Sequence, residues 1–263
     1  METAHETRPA PTALGPHHLA YVLRIADGSL VLAQRFAEWC GHGPVIEEDI
    51  AFTNIALDLI GQARLLYGHA GLLEGRGRDE DAFAYFRDEA EFRNPTLVEL
   101  PNGDFAQSVV RGYAYVAWQS ELWQALAGSR DPELVAIADK SRKETAYHCE
   151  HLAGWMVRLG DGTDESHARM QRAVDYLWPY TAELFVDDEV ESAAAATGVG
   201  AAPSAFADSW RLRTTRVLAE ATLAVPAATP FRSTGRAGRH SEYLGYLLTE
   251  MQALARAHPG ARW

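Results

Sequence analysis

Four long runs of apolar residues at helical spacing, joined in pairs by connections of a few residues, constrain this chain more than any other feature. From His18 to Trp39, Leu19, Val22, Leu23, Ala26, Leu30, Ala33 and Ala37 recur at intervals of three and four, the period of a helix with one buried face. Asp27-Gly28 is expected to interrupt this helix, and Gly41-His42-Gly43-Pro44 to end it. A second run starts after Pro44 and extends to about Ala70. A third, about Asp104 to Ala127, is rich in aromatics (Tyr113, Tyr115, Trp118, Trp123). The fourth runs to about Leu159, with Asp131 as N-cap and Pro132 at the first helical position. Short connections make sequential helices antiparallel neighbours, so the runs predict two helical hairpins packed as a four-helix bundle.

The rest of the chain extends the all-α reading. A short helix is expected near Asp79 to Arg87, followed by an irregular stretch from Phe92 to Gly103. Three further helices are expected, at Thr163 to about Phe185, Pro203 to Ala221 and Arg239 to Ala257, and Pro179 should kink or end the first of them. No strand pattern of useful length occurs. The Ala-rich piece Ser192 to Ala202 is the best linker candidate, yet too little chain follows it for a second domain. The expected organisation is a disordered leader over 1–16 and one domain over 17–263, with its core bundle at about 17–160 and C-terminal helices at about 163–263.

Composition excludes several function classes. No apolar run reaches the roughly 18 to 20 residues of a membrane span, and Met1 to Pro16 has no apolar core of a secretory signal, so a cytoplasmic protein is expected. Cys40 and Cys149 lack metal or redox spacing and read as two buried free thiols. A net charge of −12 opposes nucleic acid or an anionic membrane as the main partner, because both reward clustered Lys and Arg.

The residues able to carry chemistry lie on the four long helices. Asn54, Asp58 and Gln62 recur every four residues beside Ile55, Leu59 and Leu66. That spacing suits either a buried hydrogen-bonded seam or a solvated helix edge. Glu38, Asp58, Gln62, Glu121, Glu144 and His148 form the strongest set, one or two residues from each helix. Glu144 and His148 alone equally suit a helix-stabilising pair. His148-Cys149-Glu150-His151 looks metal-like, but Cys149 and Glu150 must face away from His148. The loop carrying Arg232, Arg236, Arg239 and His240 reads as a solvated connector or as a contact for an acidic partner or an anion.

Several segments taken together resemble the C subunit of the phenylacetyl-CoA 1,2-epoxidase (phenylacetate-CoA oxygenase) family: 32–42 (LAQRFAEWCGH), 57–64 (LDLIGQAR), Arg87-Asp88-Glu89, 99–103 (ELPNG), 143–148 (KETAYH) and the ending 259–263 (PGARW). The resemblance covers nearly all of Leu19 to Trp263 and implies a ferritin-like helical fold. It also implies a homologous catalytic A subunit that holds a di-iron centre, and a separate reductase carrying NADPH, FAD and iron-sulfur chemistry. A di-iron bundle uses two lone carboxylates and two Glu-x-x-His pairs. Carried onto this chain, the lone carboxylates fall on Glu38 and Glu121, the first pair on Leu59 and Gln62, and the second on Thr145 and His148. Both bridging glutamates and one histidine are therefore missing, and the resemblance implies a degenerate site with no cofactor in this subunit. Arg35, Arg64 or Lys143 could supply the missing positive charge in a polar network linking Glu38, Asp58, Gln62, Glu121, Glu144 and His148. The expected function is a structural subunit that binds and stabilises the di-iron subunit within the oxygenase complex. A metalloenzyme with a remodelled site and a scaffold for another partner are the alternatives.

Overall fold

In the computed structural model, which describes residues 13–15 and 17–261, ten α-helices carry the chain and the described residues form no β-strand. The long helices are α1 (His18–Ala37), α2 (Ile46–Glu74), α5 (Phe105–Leu126) and α6 (Pro132–Gly160). They pair as α1 with α2 and α5 with α6, and the hairpins meet along α2 with α6 and α1 with α5. Short α3 (Glu80–Tyr85) and α4 (Thr96–Glu99) lie in the crossover between the hairpins. Helices α7 (Asp164–Leu177) and α9 (Ala207–Glu220) pack on α5 and α6, α8 (Glu189–Thr197) packs on α1, and α10 (Glu242–Ala257) closes over α3 and α4. Most of the expected leader and the final Arg262-Trp263 lie outside the described residues. No described helix is long and apolar enough to cross a membrane.

The helix ends follow from local chemistry. Asp131 Oδ1 accepts the amides of Glu133 and Leu134 at 2.9 and 3.4 Å and starts α6, and Asp104 accepts from Gln107 at 3.0 Å to start α5. These bonds satisfy amides that have no intrahelical partner. Pro179 lies where α7 gives way to a tighter 3-10 stretch, Trp178–Phe185. The core is continuous from Phe36, Phe52 and Tyr21 through Tyr113, Tyr115 and Trp123 to the buried faces of α7 and α9.

Three expectations are corrected. Helix α1 passes through Asp27-Gly28 without a break. Asp27 is fully buried and ion-paired with Arg87, and its carboxylate also accepts from Tyr67 Oη at 2.6 Å and the Arg93 amide at 2.8 Å. Gly28 lets α5 approach, since a Cβ there would overlap the Tyr115 hydroxyl. Two residues that read locally as helix breakers are thus tertiary contacts. Ser192 to Ala202 is not a linker: most of it lies in α8, whose Ala194 and Glu191 are buried. Nor are both thiols buried, because Cys40 is exposed beyond the end of α1 and Cys149 is only half-buried.

Candidate functional site

The bundle centre is crossed by a chain of hydrogen bonds that takes one residue from each long helix. Gln119 of α5 donates through Nε2 to Ser29 Oγ of α1 and to Gln62 Oε1 of α2, both at 3.0 Å. Gln62 Nε2 then donates to Glu144 Oε2 of α6 at 3.1 Å. Ser29, Gln62 and Gln119 are all buried. One turn away, His148 Nε2 lies 3.0 Å from Asp58 Oδ2, with the imidazole buried and the carboxylate 41 % exposed. Farther along, His151 Nε2 lies 2.9 Å from Glu48 Oε2. Leu59 and Thr145 are fully buried beside these groups.

The α2 stripe is therefore graded: Asn54 is exposed, Asp58 half-buried and Gln62 buried. The seam and the solvated edge are two ends of one helix face. Burial lowers the His148 pKa, against the opposing pull of Asp58 and Glu144. The neutral imidazole is favoured. Burial also pushes the Cys149 thiol up to about 11, so it is not an activated nucleophile. The run from His148 to His151 does not converge: His148 and His151 turn to α2, whereas Cys149 lies by Arg213 of α9.

The remaining candidates are distributed over other sites. Glu38 lies at the end of α1, where Oε1 accepts from Arg35 at 2.7 Å and Oε2 from Asn102 at 2.8 Å. Glu121 accepts from Arg213 Nη2 at 2.7 Å. Neither carboxylate joins the central chain. The expected single network is divided because Arg35 is held by the Glu99 carbonyl as well as by Glu38. Arg64 reaches outward to Glu80 at 3.0 Å, and Lys143 is exposed. The basic loop also divides. Arg236 and His240 are internal, paired with Glu191 and with Glu99 respectively, while Arg232 and Arg239 remain exposed. Burial inside ion pairs removes Arg236 and His240 from the expected contact surface.

Sequence reasoning passed over Ser29 and Gln119. Each has only apolar residues three and four positions away on its helix, Ile25, Ala26, Leu32 and Ala33 for Ser29 and Tyr115, Val116, Leu122 and Trp123 for Gln119, and that isolation is the signal that could have found them, since a lone polar residue on a core face needs a partner across the bundle. It also passed over a buried trio of His18, His69 and Asp131.

Two comparisons bear on this arrangement. A family model described as phenylacetic acid catabolic protein matches residues 1–263. The chain is also similar to the C subunit of the 1,2-phenylacetyl-CoA epoxidase of Escherichia coli (strain K12), with 47% identity over 244 residues that cover 93% of this chain and 98% of that protein.

Proposed function

Because the chain belongs to the phenylacetic acid catabolic protein family, we propose that it is the structural, non-catalytic subunit of an oxygenase complex that epoxidises the ring of phenylacetyl-CoA. In this reading the homologous partner subunit holds the di-iron centre, a reductase supplies electrons from NADPH, and this chain binds and orders the catalytic subunit.

The observation that carries the reading is the chemistry at the bundle centre. A pair of iron ions needs several carboxylates to bridge them and balance their charge. The central chain here is Ser29, Gln119, Gln62 and Glu144, three neutral groups and one carboxylate, already bonded to one another. The amide nitrogens of Gln62 and Gln119 occupy the lone pairs that a cation would need. Leu59 and Thr145 bring no carboxylate to the positions of the bridging glutamates. These donors do not fit a di-iron cluster.

A docking face supports the partner role. On α2, Ile46, Ile50, Leu57, Leu65 and Leu72 are 38 to 71 % exposed. Gly61 and Gly68 sit among them with open space above their Cα atoms. At 3.6 residues per turn these positions fall within an arc of about 100°. A row of this kind on a helix is the mark of an interface.

Co-expression with the catalytic subunit of the same complex, followed by size-exclusion chromatography and metal analysis of each chain, tests the reading. A stable complex with iron confined to the partner is the expected result. Two iron ions per copy of this chain, or no association, would overturn it. Replacing Ile46 and Leu57 together by Lys is expected to weaken the complex while leaving the isolated subunit as stable as before.

A further inference from the structure

The trio passed over by sequence reasoning lies where the start of α1, the end of α2 and the start of α6 come together. Side-chain exposure is 1 % for His18, 0 % for His69 and 4 % for Asp131. His18 Nε2 and His69 Nε2 lie 2.7 and 2.6 Å from the same oxygen, Asp131 Oδ2. The other carboxylate oxygen is committed to capping α6. The two histidine contacts differ in kind. The His69 N–H points at the oxygen as a hydrogen bond does. That of His18 does not, and among the described residues its Nε2 has no aligned hydrogen-bond partner although it is buried against a carboxylate.

This misalignment has a geometric meaning. A hydrogen bond sets the acceptor on the axis of the ring nitrogen, whereas a cation sits on that axis itself and displaces its other ligands to the side. With metal–ligand distances of about 2.0 to 2.1 Å, a nitrogen and an oxygen 2.7 Å apart would see the oxygen about 50° off that axis. We infer that His18, His69 and Asp131 form a binding site for a divalent cation of the zinc class. Two imidazoles and one carboxylate suit zinc or cobalt rather than magnesium or calcium, which prefer all-oxygen shells. Three protein ligands leave a fourth position to a small exogenous ligand. Because the Leu14 amide donates to His18 Nδ1 at 3.2 Å, the metal-free His18 carries its proton on Nε2. Loading moves that proton to Nδ1 and detaches the Leu14 amide, so the ion and the segment before α1 are coupled.

The test is titration of chelator-stripped, full-length protein with Zn²⁺ by calorimetry and with Co²⁺ by visible absorption. The expected result is one equivalent bound, with Co²⁺ showing the ligand-field bands of a four-coordinate site. His18→Gln and His69→Gln should each weaken binding beyond the roughly 10- to 100-fold typical of losing an outer-shell partner, whereas His148→Gln should leave it unchanged. No stoichiometric binding overturns the proposal, as does binding that survives both glutamine variants or is lost with His148→Gln. Should either variant fail to fold, the Co²⁺-loaded wild type decides through its proton spectrum. Two ion-shifted imidazole N–H signals support the site, and fewer than two refute it.

Discussion

Gln62→Glu is the most revealing single change in the bundle centre, because it returns a carboxylate to a place where the chain now holds an amide. Gln62 Nε2 lies 3.1 Å from Glu144 Oε2. A glutamate in the same pose would set two carboxylate oxygens at that separation. At an effective dielectric of about 20, two unit charges 3.1 Å apart repel by about 5 kcal/mol. The pair has a cheaper alternative. Binding one proton at pH 7 to a glutamate of ordinary pKa, about 4.3, costs about 3.7 kcal/mol, and the protonated side chain then donates to Glu144 as the amide did. Protonation sets the ceiling, so the variant should lose about 3 to 4 kcal/mol at pH 7. The folded-state pKa is raised above its unfolded value, so the folded protein binds more protons and the penalty grows with pH between the two. On acidification the difference from wild type should shrink by about 1.4 kcal/mol per pH unit and vanish near pH 4. Urea unfolding of both proteins at roughly pH 5, 6 and 7 measures this directly. A loss below about 1 kcal/mol at pH 7 with no pH dependence would refute the reasoning, since it would mean that a cation or free solvent already separates positions 62 and 144.

Three further outcomes follow from the same contacts. Asp27→Asn should cost about 3 to 5 kcal/mol in urea unfolding, because it leaves the buried Arg87 guanidinium without its countercharge; replacing both residues by Leu should recover part of that loss. The folded pKa of His148 lies below its unfolded value, so its contribution to stability is complete above about pH 6.5 and is lost as pH falls from there through the lower folded pKa. His148→Gln should flatten the stability profile there by at most about 1.4 kcal/mol per pH unit. Glu121→Gln should cost at most about 1 kcal/mol, because its partner Arg213 is one-third exposed, and should leave the metal content of the purified complex unchanged.

How far the fold was legible depended on whether a signal was local. Asp131-Pro132 and Thr163 mark helix starts through bonds made within three residues, and such marks survive in a single sequence. Asp27-Gly28 misled for the opposite reason. A buried aspartate and a glycine lower helix propensity locally, and only the distant Arg87 and Tyr115 turn them into packing contacts. Ser192 to Ala202 misled similarly, since small residues read as a linker until α1 provides a surface on which they can pack. For the candidate site, Gln62 and His148 were found because their places on α2 and α6 follow the ligand pattern, and Glu144 because it lies one helical turn before His148. Glu38 and Glu121 matched the pattern in sequence but, through Arg35 and Arg213, are engaged elsewhere. Ser29 and Gln119 carry no motif at all.

On the proposed reading, the division of these carboxylates is how the bundle would keep its shape without ions at its centre. Carboxylates left there unpaired would each cost several kcal/mol, so side chains must change or leave. The two remedies occur at different depths. At the deepest level charge is replaced by neutral groups that both donate and accept, and two glutamines span the distance from α1 to α6 through Ser29 and Glu144. Nearer the surface, charge is retained and compensated locally, as Asp58 with His148, Glu38 with Arg35 and Glu121 with Arg213. An amide chain can span the bundle at fixed length only if the four helices keep their separations. The centre therefore still enforces the frame that a metal pair would enforce, and the outer face of α2 is free to serve as a docking surface.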